Sequence, residues 1–173
     1  MKKVYFSLLM VCCMALGVAL SACDGDEPVV TGKITKNDLT APMCLFKAPT
    51  SGVVSVVNGF DFWTFTDTRA ASVRIYTKDS KPFIQCFTMT DSWNLSDGRL
   101  AVGSENFLLV MAAYGNAKAF ALNNNVYVPS NFTVSGYNLE NALVELGFSK
   151  ERLWRVLDKC KETGNGVFLQ DVE

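Results

Sequence analysis

The chain has 173 residues, with 16 lysines and arginines against 17 aspartates and glutamates, which gives a net charge of −1. It contains no histidine, so nucleophilic catalysis of the usual histidine-dependent kinds, histidine pH switches and the commonest zinc ligand are excluded. The balanced charge provides no basic patch for a nucleic acid or an anionic lipid surface.

The beginning of the chain has the organisation of an export signal. A lysine pair precedes an apolar run over residues 4–20, which is shorter than the roughly 20 apolar residues that a membrane-spanning helix needs. The run ends in Leu20-Ser21-Ala22-Cys23, which resembles the lipobox of bacterial lipoproteins. The resemblance implies that residues 1–22 are a signal peptide that is removed. It also implies that Cys23 carries a diacylglycerol and a further acyl chain such as palmitate, as a lipid anchor.

Three carboxylates after the lipidation site refine the expected address. Asp24, Asp26 and Glu27 resemble the acidic signal that directs lipoproteins of one bacterial phylum to the outer face of the outer membrane. A lone aspartate after the cysteine resembles, in enteric lipoproteins, an inner-membrane retention signal. We expect the outer membrane, facing the cell surface, because the carboxylates form a cluster; a periplasm-facing or inner-membrane position is the alternative. Pro28 and the alternating charges predict a flexible tether over residues 23–38.

Short apolar runs separated by turn residues predict a single β-rich domain over residues 39–173. The strongest local signal is a hairpin in which Asn58-Gly59 joins strands over residues 53–57 and 60–65. Further strands are predicted over residues 72–77, 83–90, 99–102 and 126–134. Residues on both faces of these runs are apolar, which indicates strands that are covered on both sides or that line an interior cavity.

The region 104–122 is ambiguous. Two strands over residues 107–114 and 117–122 are one interpretation, but five alanines also suit a helix that Ser104 would cap.

Helical periodicity is clear towards the C terminus, where helices are predicted near residues 139–146 and 150–162, ended by Gly147 and Gly164. The expected fold class is therefore α+β, mainly β. We predict an antiparallel meander, as a small barrel or a sandwich, with a C-terminal helical hairpin. No family is recognised for the mature domain.

Three cysteines remain once the signal peptide and the lipidated residue are set aside: Cys44, Cys86 and Cys160. In an oxidising compartment one disulfide and one free thiol are one interpretation, and the sequence does not choose among the three pairings. The alternative is that these residues are small buried apolar side chains.

Aromatic side chains provide the candidate binding site. Trp93 lies near a turn and Trp63 lies in an aromatic-rich run. A tryptophan in an exposed loop suits stacking on a sugar or anchoring a partner protein, whereas core packing is the alternative for both residues. No catalytic motif, metal-ligand set or phosphate-binding loop is recognisable, so we assign no catalytic residue, no metal and no cofactor.

Two functions of different classes remain open. The first is a non-catalytic binding or assembly-accessory module, anchored by its lipid to the outer membrane, with a protein or glycan partner and no nucleic acid. The second is a lipocalin-like carrier of a small apolar ligand in a β-barrel, which the two-sided apolar strands favour. A hydrolase that uses two carboxylates is a third interpretation, but no spacing indicates such a pair, so we do not expect an enzyme.

Overall fold

A computed structural model describes residues 33–48, 59–114, 117–134, 137–164 and 166–172. Within these ranges the elements in chain order are α1 (Lys36–Thr40), β1 (Leu45–Lys47), β2 (Phe60–Phe65), β3 (Ala70–Lys78), β4 (Lys81–Thr90), β5 (Trp93–Ser96), β6 (Arg99–Val102), β7 (Glu105–Tyr114), β8 (Ala117–Leu122), β9 (Asn125–Pro129), β10 (Thr133–Val134), β11 (Tyr137–Asn138), α2 (Leu139–Glu145), α3 (Lys150–Thr163), β12 (Gly166–Phe168) and a 3-10 turn (Leu169–Asp171).

Ten strands form one curled sheet, a half-barrel, in the order β12-β4-β3-β2-β1-β9-β8-β7-β6-β5. All neighbouring strands run antiparallel. The short pair β10–β11 stands apart from this sheet and leads into α2. The predicted fold class, α+β and mainly β with an antiparallel sheet and C-terminal helices, is confirmed.

The three-residue strand β1 joins two antiparallel meanders at the middle of the sheet. One meander is β2-β3-β4 and the other runs from β5 to β9. Leu45 of β1 pairs with Trp63 on one side and with Pro129 on the other, and Phe46 pairs with Phe62 and Val128. The predicted hairpin strand over residues 53–57 lies outside the described residues, whereas its partner β2 is present as predicted.

The sheet has a separate hydrophobic core on each face, which explains why its strands are apolar on both sides. In β2, Phe60 and Phe62 belong to a core that includes α2 and α3, which we name the helix-side core. Trp63 and Phe65 point to the opposite face. There the ring of Phe65 lies 5.1 Å, centroid to centroid, from that of Trp93 on the distant strand β5, so this face is the inside of the curl. We name the cluster on it the concave core; it comprises Leu39, Leu45, Trp63, Phe65, Ala70, Trp93, Leu100, Val102, Leu109, Phe120 and Leu122.

The ambiguous region 104–122 forms the strands β7 and β8 and not a helix. Met111 pairs with Phe120, and Ala112 pairs with Ala119. Phe120 lies in the concave core while Ala119 is fully buried in the helix-side core, so successive residues serve opposite faces. Burial on both faces requires the period-two pattern of a strand, and this tertiary requirement overrides the helical preference of alanine.

The predicted C-terminal helical hairpin is present as α2 and α3. The side chain of Ser149 accepts a hydrogen bond from the Arg152 amide at the start of α3. Gly164 ends this helix in the left-handed conformation, with φ of 85°, which glycine adopts at little cost. One face of α3 buries five residues against the sheet: Leu153, Trp154, Val156, Leu157 and Cys160.

Residues 34–38, which fall in the predicted tether, pack against the folded domain. Thr35 and Asp38 form a reciprocal capping box at the start of α1, in which each side chain bonds the backbone N–H of the other. Ile34 packs against the concave core, and Leu39 is buried inside it. Ile34 and Leu39 are isolated apolar residues in a polar stretch, so the composition of that stretch does not indicate that they pack on the core.

Candidate functional site

The two candidate binding tryptophans, Trp93 and Trp63, are buried in the structure, as in the core-packing alternative. Trp93 is 7% exposed and begins β5, and Trp63 is 5% exposed in β2. The indole N–H of Trp93 donates to the Thr66 carbonyl at 2.8 Å, and the Lys36 ammonium lies 4.7 Å from the centre of its ring. The protein therefore covers the Trp93 ring, and no face of it is open for stacking on a sugar.

The inside of the curl is filled. The void among the residues of the concave core measures about 10 Å³, and it is lined by side chains such as Leu39, Phe65 and Leu100. A space of that size is at the limit for one water molecule and is far below the volume of a ligand pocket. The concave core, as far as the structure describes it, therefore holds no space for the apolar ligand that a carrier would need.

The larger space is an open groove of about 780 Å³ on the surface. One wall is the chain at residues 33–36, the opposite wall is the β5–β6 hairpin over residues 94–98, and the floor is β7 at residues 109–111. The volume lies within the range that holds a drug-sized ligand or a short peptide segment. Lys33 and Asp97 place opposite charges on its walls.

The groove follows an edge of β7 that has main-chain hydrogen-bonding capacity. β6 pairs with β7 only as far as Leu108, and the Leu109 N–H then donates to the Gly98 carbonyl at 2.8 Å. β8 occupies the other edge from Leu109 onward. Alternate residues of a strand direct their N–H and C=O groups to the same edge. The main-chain groups of Met111 and Ala113 therefore point to the same edge of β7 as those of Leu109, which is the edge opposite β8. In the described part of the chain, no strand lies beside that edge.

An exposed apolar pair marks the outer side of β7. Leu108 is 52% exposed and Val110 is 43% exposed, and Val110 lines the groove. The sequence alone does not mark these residues as a binding surface. The signal that identifies them is that residues 107–111 are apolar on both sides of a strand, although no described residue covers the outer side at Leu108 and Val110.

A second cluster combines a hydroxyl, a thiol, a carboxylate and an ammonium group, but it is buried. The Ser130 hydroxyl donates to Glu140 Oε2 at 3.0 Å and accepts from the Cys44 N–H at 3.2 Å. The Lys150 ammonium donates to the carbonyls of Thr40 and Pro42, and burial lowers its pKa. Ser130 and Cys44 are fully buried, so this cluster ties β1 and the chain after β9 to the helices and is closed to substrate.

The three cysteines are free thiols in the structure. Burial raises the pKa of Cys86 to about 11 and that of Cys160 to about 12, and it raises the pKa of the fully buried Cys44 most. The Cys160 thiol contacts the Ile84 carbonyl at 3.7 Å, and the Cys86 thiol contacts the Thr88 carbonyl at 3.4 Å. Thiols held protonated in this way are weak nucleophiles and weak metal ligands.

The predicted lipidation and sorting residues, Cys23, Asp24, Asp26 and Glu27, lie outside the described residues. Among the residues that are described, no three cysteine, aspartate or glutamate side chains come together as a metal site. The described helices include none that is both long enough and apolar enough to span a membrane.

Comparisons of the chain with models of protein families, with curated proteins and with solved structures found no match.

Proposed function

We propose that this protein is a lipoprotein of the outer membrane that acts as a non-catalytic binding or assembly-accessory module, with the groove beside β7 as its contact surface. The observation that carries the proposal is the open groove with exposed Val110 on its rim, on a domain whose interior is filled. Concave sites with an apolar floor and a few polar or charged groups on their walls are typical binding sites.

The lipobox limits how far the groove can lie from the membrane. Lys33, which lines the groove, follows Cys23 by ten residues. A chain of that length spans at most about 35 Å when fully extended. A lipid on Cys23 would therefore keep the groove within about 35 Å of the bilayer surface, so the expected partner is a protein or glycan of that same surface.

A binding role is also supported by how the carboxylates are used. Asp61 pairs with Arg74 at 3.2 Å, and Asp91 pairs with Arg69 at 3.3 Å. Asp158 also pairs with Arg69, and Asp38 caps α1 and pairs with Lys118. These four carboxylates are engaged by cations of the same domain, whereas a hydrolase would need two carboxylates that face a substrate across a cleft.

The anchor is tested by mass spectrometry of the protein isolated from membranes. The tryptic peptide of residues 23–33 should begin at Cys23 and carry acyl chains, whereas a Cys23→Ser variant should keep residues 1–22 and lose the lipid. Protease added to intact cells should digest the domain if it faces the cell surface. An unmodified Cys23 in the wild-type protein would overturn the anchor.

The contact surface is tested by photo-crosslinking in cells, with a photoreactive phenylalanine derivative in place of Val110. The matched control is Val144 of α2, which is 57% exposed and lies away from the groove. We expect a discrete adduct from position 110 and none from position 144. Equal labelling from both positions, or turnover of a substrate that is lost when one described carboxylate is replaced, would contradict the proposal.

A further inference from the structure

The described part of the chain begins at the groove, with Lys33. Lys33 lines one wall, and the floor is the edge of β7 on which Met111 and Ala113 direct their main-chain groups outward. Lys33, the first described residue, is therefore next to an edge that has no neighbouring strand among the described residues. Such an edge is a template for the addition of one more strand.

We propose that residues 29–31 of this same chain dock in the groove as an extended strand on the edge of β7. Val29, Val30 and Thr31 are all β-branched, the residue type that favours an extended conformation. Pro28 before them lacks an N–H and ends a strand, and Gly32 after them permits the turn into Lys33. The acidic residues nearer Cys23 have no such preference for a strand.

Covalent attachment favours this occupant over a separate molecule. A segment joined to the groove by one or two residues has an effective concentration of about millimolar or higher, which a second copy or a foreign peptide reaches only at high total concentration. The docked strand would shorten the tether, and an extended partner that pairs with β7 would first have to displace it. Docking of the chain's own segment does not depend on the proposed partner.

Amide hydrogen exchange followed by NMR on the mature chain, residues 23–173 with Cys23→Ser, tests the docking. We expect slow exchange at Met111 and Ala113 in this chain. The double variant Val29→Asp/Val30→Asp should raise both exchange rates about tenfold or more, because charged side chains disfavour the strand and expose the edge. The matched control Val144→Asp should leave both rates unchanged, and the amides of β3 should stay protected in all three chains.

Two outcomes would overturn the inference. One is an exchange rate at Met111 and Ala113 that is the same with and without the Val29→Asp/Val30→Asp change. The other is protection that rises with protein concentration together with dimer formation in sedimentation, since that would make a second copy the occupant. Loss of the crosslink from position 110 would affect only the proposed partner and would leave the exchange result intact.

Discussion

Replacing Trp93 with alanine separates a core role from a ligand-binding role. The ring is 7% exposed, it lies edge-on to Phe65, and its N–H bonds the Thr66 carbonyl. Removal of a buried tryptophan ring costs about 3–5 kcal/mol, because both the transfer energy and the cavity count against the fold. Trp93→Phe keeps most of the ring and loses mainly the hydrogen bond, so its expected cost is about 1–2 kcal/mol.

Urea unfolding followed by far-ultraviolet circular dichroism measures both changes. With a slope of about 2 kcal/mol per molar urea, the midpoint should fall by about 1.5–2.5 M for Trp93→Ala and by about 0.5–1 M for Trp93→Phe. The control is Phe87→Ala on β4, where the aromatic ring is 55% exposed and the expected shift is below about 0.5 M. If the midpoint of Trp93→Ala stays within about 0.25 M of the wild type, the core assignment is refuted.

Three further predictions follow from the buried groups and one from a helix end. Ser130→Ala should lower the free energy of unfolding by about 1–3 kcal/mol in chemical denaturation, because the Cys44 N–H and Glu140 Oε2 each lose their hydrogen bond with the Ser130 hydroxyl. An unchanged midpoint would contradict this. An aromatic disulfide reagent should label Cys86 of the native protein slowly and label all three domain thiols only after unfolding; fast labelling of three thiols in the native state would be inconsistent with their burial. Because burial raises the pKa of Cys86 from 9.0 to about 11, the contribution of this thiol to the free energy of unfolding is fully present below pH 9 and is lost as the pH rises towards 11. The urea midpoint should therefore fall over this pH range, and it should fall less in Cys86→Ala. Gly164→Ala should cost about 1–2 kcal/mol, because its φ of 85° is strained for alanine; thermal unfolding tests this, and a gain in stability would argue against the left-handed cap.

Local sequence patterns predict those strands that depend only on neighbouring residues. The apolar run of β2 and the turn between β3 and β4 need only neighbouring residues, and both are present. β1 has no such signal, because three residues become a strand only through neighbours at residues 62–63 and 127–129. Trp93 is similar: its burial depends on Phe65, which is 28 residues away in the sequence.

The groove illustrates the same limit for the candidate site. Its walls and floor come from residues 33–36, 94–98 and 109–111, and only the curl of the sheet brings these segments together. The sequence leaves the region that forms the floor open between strand and helix, and it contains no sign of the walls. The sequence also shows that residues 107–111 are apolar on both faces of a strand, but this pattern does not indicate where the cover of one face ends.

The central place of β1 determines the order in which the sheet is completed during synthesis. The strand is made first among the ten, yet its second neighbour, residues 127–129, emerges about 80 residues later. Pairing over such a separation carries a large loop-closure cost and slows folding. Until β9 arrives, the backbone groups on one side of β1 have no partner in the sheet, and unpaired strand edges of this kind promote aggregation. The newly made chain is therefore most vulnerable to self-association after β4 has formed and before β9 is available.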